Sequence, residues 1–396
     1  MFMNFRRIRK CQCMQLLTTG LVLCIVMVCW EELDHHVVSH MRSYTYRYLV
    51  NRYDFLNSSF AITSNPHHKK DASNGADGGL RNYPYLINHP DKCGGEGKSR
   101  DDVLLLLFVK SSPENFERRQ AIRDTWGNES FVWSELRANV RMVFALGVHP
   151  DVQKRSRVQS ALLHEDKVYG DLIQKNFLDT FHNLTAKLIL QFHWGHEYCP
   201  QAHFFMSADD DIFVHMPNLV KYLQQLLSKQ SGAKDLWVGH VHRGAPPVRR
   251  KDSKYHVPYD LYPWPSYPDY TAGAGYVVSG DVAAKIYHAT LMLNSSMYID
   301  DVFMGICAKA MGVSPQEHVY FSGEGKAPYH PCIYYHMMTS HGHAMDVRLL
   351  WQAATDPSVY NNSRGFMGNL YCTAMRVMLL CLPFYQNTYS CMAAFA

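Results

Sequence analysis

The feature that most constrains this chain is a series of apolar runs of strand length, each followed by a stretch of helical character. The run VLLLLFV (103–109) shows no polar alternation, which is typical of a parallel strand buried on both faces. ENFERRQAIRDTW follows it and is predicted to be helical. The same order recurs with strands predicted in RMVFALGV (141–148), HFFMSA (203–208), LWVGHV (236–241) and GYVV (275–278). The pattern predicts an α/β domain with a mostly parallel sheet and helices on both faces.

Three acidic residues follow one of these strands. FFMSADDDIFV (204–214) places Asp209, Asp210 and Asp211 at the carboxyl end of a predicted strand, where ligands bind in α/β sheets. One aspartate there is explained by a turn or a helix cap, whereas three in succession repel one another. A divalent cation such as Mg²⁺ or Mn²⁺ removes that repulsion and favours a phosphate-bearing substrate. Nucleotidyl transferases, phosphohydrolases and nucleotide-sugar transferases all fit this pattern.

The N-terminus carries Arg6, Arg7, Arg9 and Lys10, then twenty uncharged residues from Cys11 to Trp30, and then acidic residues. This length suits a membrane span, and no small-x-small cleavage site follows Trp30. The basic flank predicts a cytoplasmic tail (1–10), an uncleaved type II transmembrane anchor (11–30), a polar lumenal stem (31–92) and a lumenal catalytic domain (93–396). A cleaved signal peptide is the alternative.

Two further features favour a lumenal location. Glycosylation sequons begin at Asn57, Asn128, Asn183, Asn294 and Asn361. Seven of the eleven cysteines lie beyond the anchor, so disulfides are expected, and the odd number leaves at least one cysteine outside intramolecular pairs. A net charge of +4 without a basic block argues against a nucleic-acid partner.

Several motifs together resemble the β-1,3-glycosyltransferases of glycosyltransferase family 31, over residues of about 102 to 355. They are RRQAIRDTWG (118–127), FFMSADDDIFVHMPNL (204–219), YPDYTAGAGYVVSGD (267–281), IDDVFMGICAKAMG (299–312) and the spacing from Cys332 to His341 ahead of Trp351. The resemblance implies a GT-A-type, Rossmann-like fold, Mn²⁺ as cofactor, inversion of the anomeric centre, and a Golgi membrane location.

The resemblance assigns roles on the donor side of the site. Asp211 and His341 are expected to ligate Mn²⁺, while Asp209 and, less clearly, Asp210 face the nucleotide. Arg119 and Arg123, four residues apart on one helix face, are expected to line the nucleotide pocket and meet the diphosphate, although a solvated basic face is the usual outcome for such a pair. The backbone at Gly273 and Gly275 is expected near the donor sugar.

On the acceptor side, the resemblance places Trp264, Tyr267 and Tyr270 against the sugar. It assigns Asp301 as the base that deprotonates the acceptor hydroxyl, with Asp300 in the substrate site and as the alternative base. Either acid also suits the first turn of a helix.

Three segments, SHMRSYTYRYLVNRYDF (39–55), VHRGAPPVR (241–249) and SGEGKAPYHPC (322–332), resemble family members that act on lactosylceramide. The implied reaction transfers GlcNAc from UDP-GlcNAc to the 3-hydroxyl of the terminal galactose, in lacto- and neolacto-glycosphingolipid synthesis. A galactosyltransferase using UDP-Gal and a noncatalytic lumenal carbohydrate-binding chaperone are the alternatives. The apolar stretch VMLLCLPF (377–384) is expected to be a packing helix or a membrane contact.

Overall fold

A computed structural model describes residues 83–94, 102–229, 233–360, 365–381 and 388–396, together with isolated positions between 19 and 55. Its strands are β1 (Tyr85–Ile87), β2 (Leu105–Lys110), β3 (Val140–Val148), β4 (Leu172–Leu178), β5 (Phe204–Asp209), β6 (Phe213–Val214), β7 (Trp237–Gly239), β8 (Val241–His242), β9 (Tyr270–Thr271), β10 (Tyr276–Ser279), β11 (Gln316–Glu317) and β12 (Thr339–Ser340). The helices are α1 (Phe116–Arg123), α2 (Glu129–Leu136), α3 (Val152–Tyr169), α4 (Leu184–Tyr198), α5 (Met216–Ser228), α6 (Gly280–Met292), α7 (Asp300–Ala310), α8 (Pro331–Tyr334), α9 (Val347–Thr355) and α10 (Gly365–Leu380).

The largest sheet of the described residues has eight strands in the order β1-β4-β3-β2-β5-β10-β7-β11. Strands β4, β3, β2 and β5 run parallel to one another, and β7 runs parallel to β11. Strand β1 is antiparallel to β4, and β10 is antiparallel to both β5 and β7. The predicted α/β domain with a mostly parallel sheet is therefore confirmed, with an antiparallel insertion at β10.

Helices cover both faces of this sheet, as the buried run of β2 requires. Leu105, Leu107 and Val109 lie in one core cluster, which includes residues of α1 and α5. Leu106 and Phe108 lie in a second cluster, which includes residues of α4, α6 and α7. Successive side chains of a strand point to opposite faces, so the uninterrupted apolar run supplies both cores at once.

Three strands of the sheet, β1, β4 and β11, were not predicted from the sequence. Strand β4 contains Gln174, Lys175 and Asn176, which break up its apolar residues. Gln174 is nevertheless fully buried, because its amide donates to the Gly147 carbonyl at 2.8 Å. Strand β1 pairs with β4 at the sheet edge and lies inside the segment 31–92 that the sequence assigns to a stem. Phe55, from the same segment, is also buried and packs edge-on against Trp264.

The predicted membrane span at 11–30 lies outside the described residues except for Thr19, and so do the sequons at Asn57 and Asn361. Within the described part of the chain, no helix combines the length and the apolar character needed to cross a bilayer.

Six of the seven cysteines beyond residue 30 form three disulfides, Cys93–Cys199, Cys332–Cys372 and Cys381–Cys391. The remaining cysteine of this region, Cys307, is buried in α7 and lies outside the disulfides. This agrees with the expectation that at least one of the seven stays outside intramolecular pairs.

The Cys93–Cys199 disulfide joins positions 106 residues apart, whereas Cys381–Cys391 joins positions only 10 apart. Loop-closure entropy then predicts that replacing both cysteines with alanine lowers the free energy of unfolding by about 4.7 kcal/mol for the first pair and about 2.7 kcal/mol for the second. Urea denaturation of the two double variants measures the difference. Equal losses, or a larger loss for the short loop, would contradict the entropic account.

Candidate active site

The carboxyl ends of β2 and β5 meet at a cavity of about 710 Å³, a size typical of small-molecule sites. Lys110 and Asp209, the last residues of these parallel strands, are register partners. The antiparallel strand β10 brings the residues that precede it to the same edge, because Tyr276 lies opposite Ser207 of β5. The cavity is lined by Lys110, Asn115, Arg118, Asp209, Asp210, Asp211, Gly273, Asp300, Asp301 and His341, among others.

Lys110 links two acidic elements at the floor of this cavity. Its ammonium lies 3.0 Å from Oδ1 of Asp209 and 2.7 Å from Oδ2 of Asp300, and Lys110 is only 6% exposed. Burial disfavours the ammonium, but the charges of Asp209 and Asp300 outweigh burial and hold the pKa of Lys110 well above its usual value. The lysine therefore stays charged and fixes the N-terminus of α7 against the end of β5.

Asp210 lines the same cavity, and its carboxylate is held by protein donors. Its carboxylate accepts hydrogen bonds from Ser111 Oγ at 2.7 Å and Asn115 Nδ2 at 2.8 Å, and Arg118 lies 2.9 Å away. The sequence assigned Asp210 to the nucleotide. In the structure, its side chain anchors the turn after β5 to the segment that begins α1.

Asp211 and His341 lie next to each other in the cavity. The short ribbon of β6 and β12 brings them together, since Phe213 pairs with Ser340. Nε2 of His341 lies 3.7 Å from Oδ2 of Asp211, and about a third of each side chain is exposed. Among the described residues, no cluster of three His, Cys, Asp or Glu side chains is arranged to hold a metal ion. A carboxylate and an imidazole suit Mn²⁺ when the other ligands are water and phosphate oxygens, so this pair fits the expected ion.

Asp301 lies beside Asp300 in the first turn of α7, but in a different electrostatic environment. Asp300 forms an ion pair with Lys110, whereas Asp301 accepts a hydrogen bond at Oδ1 from the Val302 amide at 2.7 Å. Burial, with the adjacent negative charge of Asp300, raises the pKa of Asp301 to about 7. Burial also raises the pKa of Asp209. The two adjacent acids therefore differ, since Asp300 is ion-paired whereas Asp301 has a raised pKa.

The two glycines singled out in the sequence have different positions. Gly273 lines the cavity, and a Cβ at this position would lie 3.6 Å from Nζ of Lys110. Gly275 has a φ of +100° and sits against Thr339 and Met206, where a Cβ would come within 3.1 Å of Thr339 Cγ2. Gly275 therefore shapes the loop leading into β10, while Gly273 leaves space next to Lys110.

Arg119 and Arg123 do not reach the cavity, contrary to the sequence prediction. Both guanidinium groups lie within 2.7 Å of Glu165 of α3, and Arg123 also pairs with Asp171 at 2.8 Å. Arg119 is fully buried. The four-residue spacing correctly put the two arginines on one face, but that face packs on buried acids that lie more than forty residues away in the sequence. The neighbouring Arg118 lines the cavity instead.

The predicted acceptor aromatics form a packed layer that does not line the cavity. Trp264 contacts Tyr53, Phe55 and Tyr262 at ring-centroid distances of 4.9 to 5.1 Å. Tyr267 is 4% exposed, and Tyr270 packs against His242, which does line the cavity. The cavity wall on this side is formed by other side chains, namely Phe181, His242, Lys254 and Tyr255.

Sequence analysis missed Lys110, although the sequence contains a signal that could have identified it. It closes the apolar run of β2, where a lone charge at the end of a buried strand needs a partner. Arg118, Lys187 and Lys254 also line the cavity and were not predicted. Arg118 and Lys254 lie among other polar residues, whereas Lys187 lies among apolar residues of helix α4.

Comparison with known proteins agrees with the resemblance seen in the motifs. The family model described as galactosyltransferase matches residues 117–319. A Danio rerio protein named lactosylceramide 1,3-N-acetyl-beta-D-glucosaminyltransferase A is 61% identical over 100% of both chains. Proteins named lactosylceramide 1,3-N-acetyl-beta-D-glucosaminyltransferase from Rattus norvegicus and Homo sapiens are 55% and 54% identical, each over 100% of this chain and 99% of their own.

Among solved structures, the apo form of the bifunctional glycosyltransferase WbbM aligns with 54% of this chain and 39% of its own at 11% identity, with a TM-score of 0.27. A 4-diphosphocytidyl-2C-methyl-D-erythritol synthase aligns with 55% of this chain and 89% of its own at 11% identity, with a TM-score of 0.26.

Arg119 and Arg123 pair with the buried Glu165, whereas the neighbouring Arg118 lines the cavity. Substitutions should therefore separate a structural role of Glu165 and its two arginines from a donor-binding role of Arg118. We expect Glu165→Gln to lower the free energy of unfolding by about 3 kcal/mol, because it leaves Arg119 and Arg123 short of a buried counter-charge. The KM for a nucleotide sugar should stay unchanged, whereas Arg118→Gln should raise it. Urea denaturation and initial-rate kinetics measure the two effects.

Glu117→Gln is the matched control, because Glu117 is a solvent-exposed acid of the same helix α1 and its loss should change neither quantity. A raised KM in Glu165→Gln with unchanged stability would show that Arg119 and Arg123 serve the donor site after all.

Proposed function

This chain belongs to the galactosyltransferase family, and we propose that it transfers N-acetylglucosamine from UDP-GlcNAc to the 3-hydroxyl of the terminal galactose of lactosylceramide, with inversion of the anomeric centre. Relatives named for this activity match it from end to end at 54–61% identity, which supports the donor and the acceptor. The reaction needs a proton acceptor beside a site for a nucleotide diphosphate, and the cavity supplies both kinds of group.

The observation that carries the mechanism is the position of Asp301. An inverting transfer needs one base, placed so that it takes the proton of the attacking hydroxyl. Asp301 lines the cavity, and its pKa of about 7 lets it accept a proton at neutral pH without holding one permanently. Asp300 is less suited to this role, because its carboxylate is already bound to the Lys110 ammonium.

In the proposed step, an oxygen of the acceptor galactose forms a bond to C1 of GlcNAc while the bond from C1 to the β-phosphate oxygen breaks. The proton of the 3-hydroxyl passes to the Asp301 carboxylate, and the electron pair of the broken bond leaves with UDP. Arg118 and Lys110 line the same cavity and supply positive charge on the donor side, where the leaving group becomes more negative.

Asp211 and His341 are the residues that would hold Mn²⁺, together with oxygens of the diphosphate. When bound, the ion would stabilise the negative charge of the departing UDP. The contribution of the chain is to keep these two ligands close together, through the β6–β12 ribbon and the hydrogen bond from the His343 amide to the Asp211 carbonyl at 2.7 Å.

We further propose that the enzyme is a type II protein of the Golgi membrane, with a GT-A-type catalytic domain in the lumen, carried by the predicted span at 11–30 and the stem. The three disulfides support an oxidising compartment. The sequons at Asn128, Asn183 and Asn294 lie at partly exposed positions, which suits glycosylation in the lumen.

The donor is tested by incubating the purified enzyme with lactosylceramide, Mn²⁺ and radiolabelled UDP-GlcNAc or UDP-Gal. We expect the label from UDP-GlcNAc to appear in the glycolipid product, from which β-N-acetylhexosaminidase should release it as free GlcNAc. Transfer of galactose alone would replace the proposed donor, and transfer from neither sugar would favour a noncatalytic carbohydrate-binding role.

The base is tested by Asp301→Asn. An amide keeps the shape but accepts no proton, so kcat should fall by about 10²- to 10⁴-fold while the KM for UDP-GlcNAc changes little. Asp252→Asn removes a solvent-exposed acid and is the matched control, with activity expected to match the unmodified enzyme. Full turnover by Asp301→Asn would exclude Asp301 as the base.

A further inference from the structure

The C-terminal part of the chain presents an unusual surface that the proposed reaction does not use. Helix α10 exposes Phe366, Met367, Leu370, Tyr371 and Met378, each at 52% or more of its area. The following turn, Cys391–Phe395, packs beside α10 and exposes Met392 and Phe395 at 74% and 70%. Soluble monomers rarely expose so many large apolar side chains together, and such a surface marks an interaction site. We call these seven residues the C-terminal apolar face.

The face lacks charge because the charged residue of α10 is turned inward. Arg376 is the one Asp, Glu, Lys or Arg between residues 365 and 381, and it is 6% exposed. Its guanidinium donates to the Ala394 carbonyl at 3.1 Å and lies 2.8 Å from His336 Nε2. Arg376 thus holds the C-terminal turn against α10, and its charge is kept away from the exposed side.

The same region is rigidly joined to the wall of the active-site cavity. Gly323 and Gly325 line the cavity, and the Gly323 amide donates to the Thr388 carbonyl at 3.1 Å. Thr388 Oγ1 in turn donates to the Lys326 carbonyl at 3.0 Å. Disulfide Cys332–Cys372 fixes the middle of α10, and Cys381–Cys391 fixes the residue that follows its C-terminus. Whatever the face binds is therefore held at a fixed position relative to the cavity.

We propose that the C-terminal apolar face rests on the surface of the lipid bilayer and holds the cavity against the membrane that carries the acceptor. This inference rests on the proposed function. Lactosylceramide keeps its ceramide in the bilayer and has only two sugars to carry the reacting hydroxyl outward, so the catalytic cavity must approach the membrane closely. A tether alone brings the domain near the membrane but sets no orientation.

The chemistry of the face fits an interface better than the hydrocarbon interior. It combines Phe, Leu and Met side chains with Tyr371, a residue type enriched at the boundary between lipid and water. It has no carboxylate to be repelled by anionic lipids. A second copy of the chain would also cover apolar surface, but it would place no cavity against the acceptor.

The test uses the full chain reconstituted into vesicles that contain lactosylceramide, with a soluble lactoside as the second acceptor. L370E/M378E puts two charges on the face, at residues 57% and 58% exposed. We expect kcat/KM for the vesicle-borne lipid to fall about tenfold or more, equivalent to a loss of about 1.4 kcal/mol, and kcat/KM for the soluble lactoside to stay within about twofold. L163E/V168E, at residues of α3 that are 52% and 62% exposed, is the matched control and should change neither value.

The proposal would be overturned if L370E/M378E left kcat/KM unchanged for both acceptors, or lowered it equally for both.

A second measurement needs no catalysis. Brominated lipids should quench the fluorescence of the tryptophan added in Phe366→Trp, beyond the quenching seen in the unmodified enzyme. They should not quench the tryptophan added in Val168→Trp. Absence of quenching at 366 would also overturn it, as would dimerisation that masks the face in lipid-free detergent. Quenching at 366 without transfer to either acceptor would leave the docking face standing and contradict the proposed function instead.

Discussion

The ammonium of Lys110 lies between two carboxylates in a cavity that holds five aspartates, and the arrangement of the site depends on that contact. Without it, Asp209 at the end of β5 and Asp300 at the start of α7 would repel each other, and breaking a buried pair of this kind typically costs about 3–5 kcal/mol. Lys110 pairs with Asp209 and Asp300. Burial and the adjacent negative charge of Asp300 therefore raise the pKa of Asp301. One lysine thus joins two elements and separates the roles of neighbouring acids.

Several strands of the sheet could be predicted from the local pattern of apolar residues. The apolar runs that became β2, β3 and β5 supply both cores, so their period and length were sufficient to predict them. Strand β4 was missed because Gln174 is buried through a hydrogen bond to Gly147, a contact made across the sheet that no local pattern encodes. The reversed direction of β10 was likewise not predictable from its own residues, yet it brings Gly273 to the cavity.

The acids of the site were predicted better than their partners. Asp209, Asp211, His341, Asp300 and Asp301 all line one cavity although they are up to 132 residues apart, as the motifs implied. Arg119 and Arg123 were assigned to the donor from helical spacing, but spacing cannot tell which face meets solvent. Buried Glu165 and Asp171 decide it. Trp264 and Tyr267 were placed on the acceptor and instead pack behind the wall. Tyr53 and Phe55 pack on Trp264, and Tyr262 and Tyr270 pack on Tyr267.

The central claim is that Asp301 is the base and that its proton affinity is raised by burial and by Asp300. The most direct measurement is the pH dependence of kcat/KM, which reports the free enzyme, for the unmodified protein and for Asp300→Asn. Below its pKa, Asp301 is protonated and cannot accept the acceptor proton, so the unmodified enzyme should lose activity as the pH falls below about 7. Removing the charge at 300 lowers the pKa of Asp301, so the account predicts that this acidic limb shifts to lower pH in Asp300→Asn. An acidic limb that stays in place or moves to higher pH would contradict it.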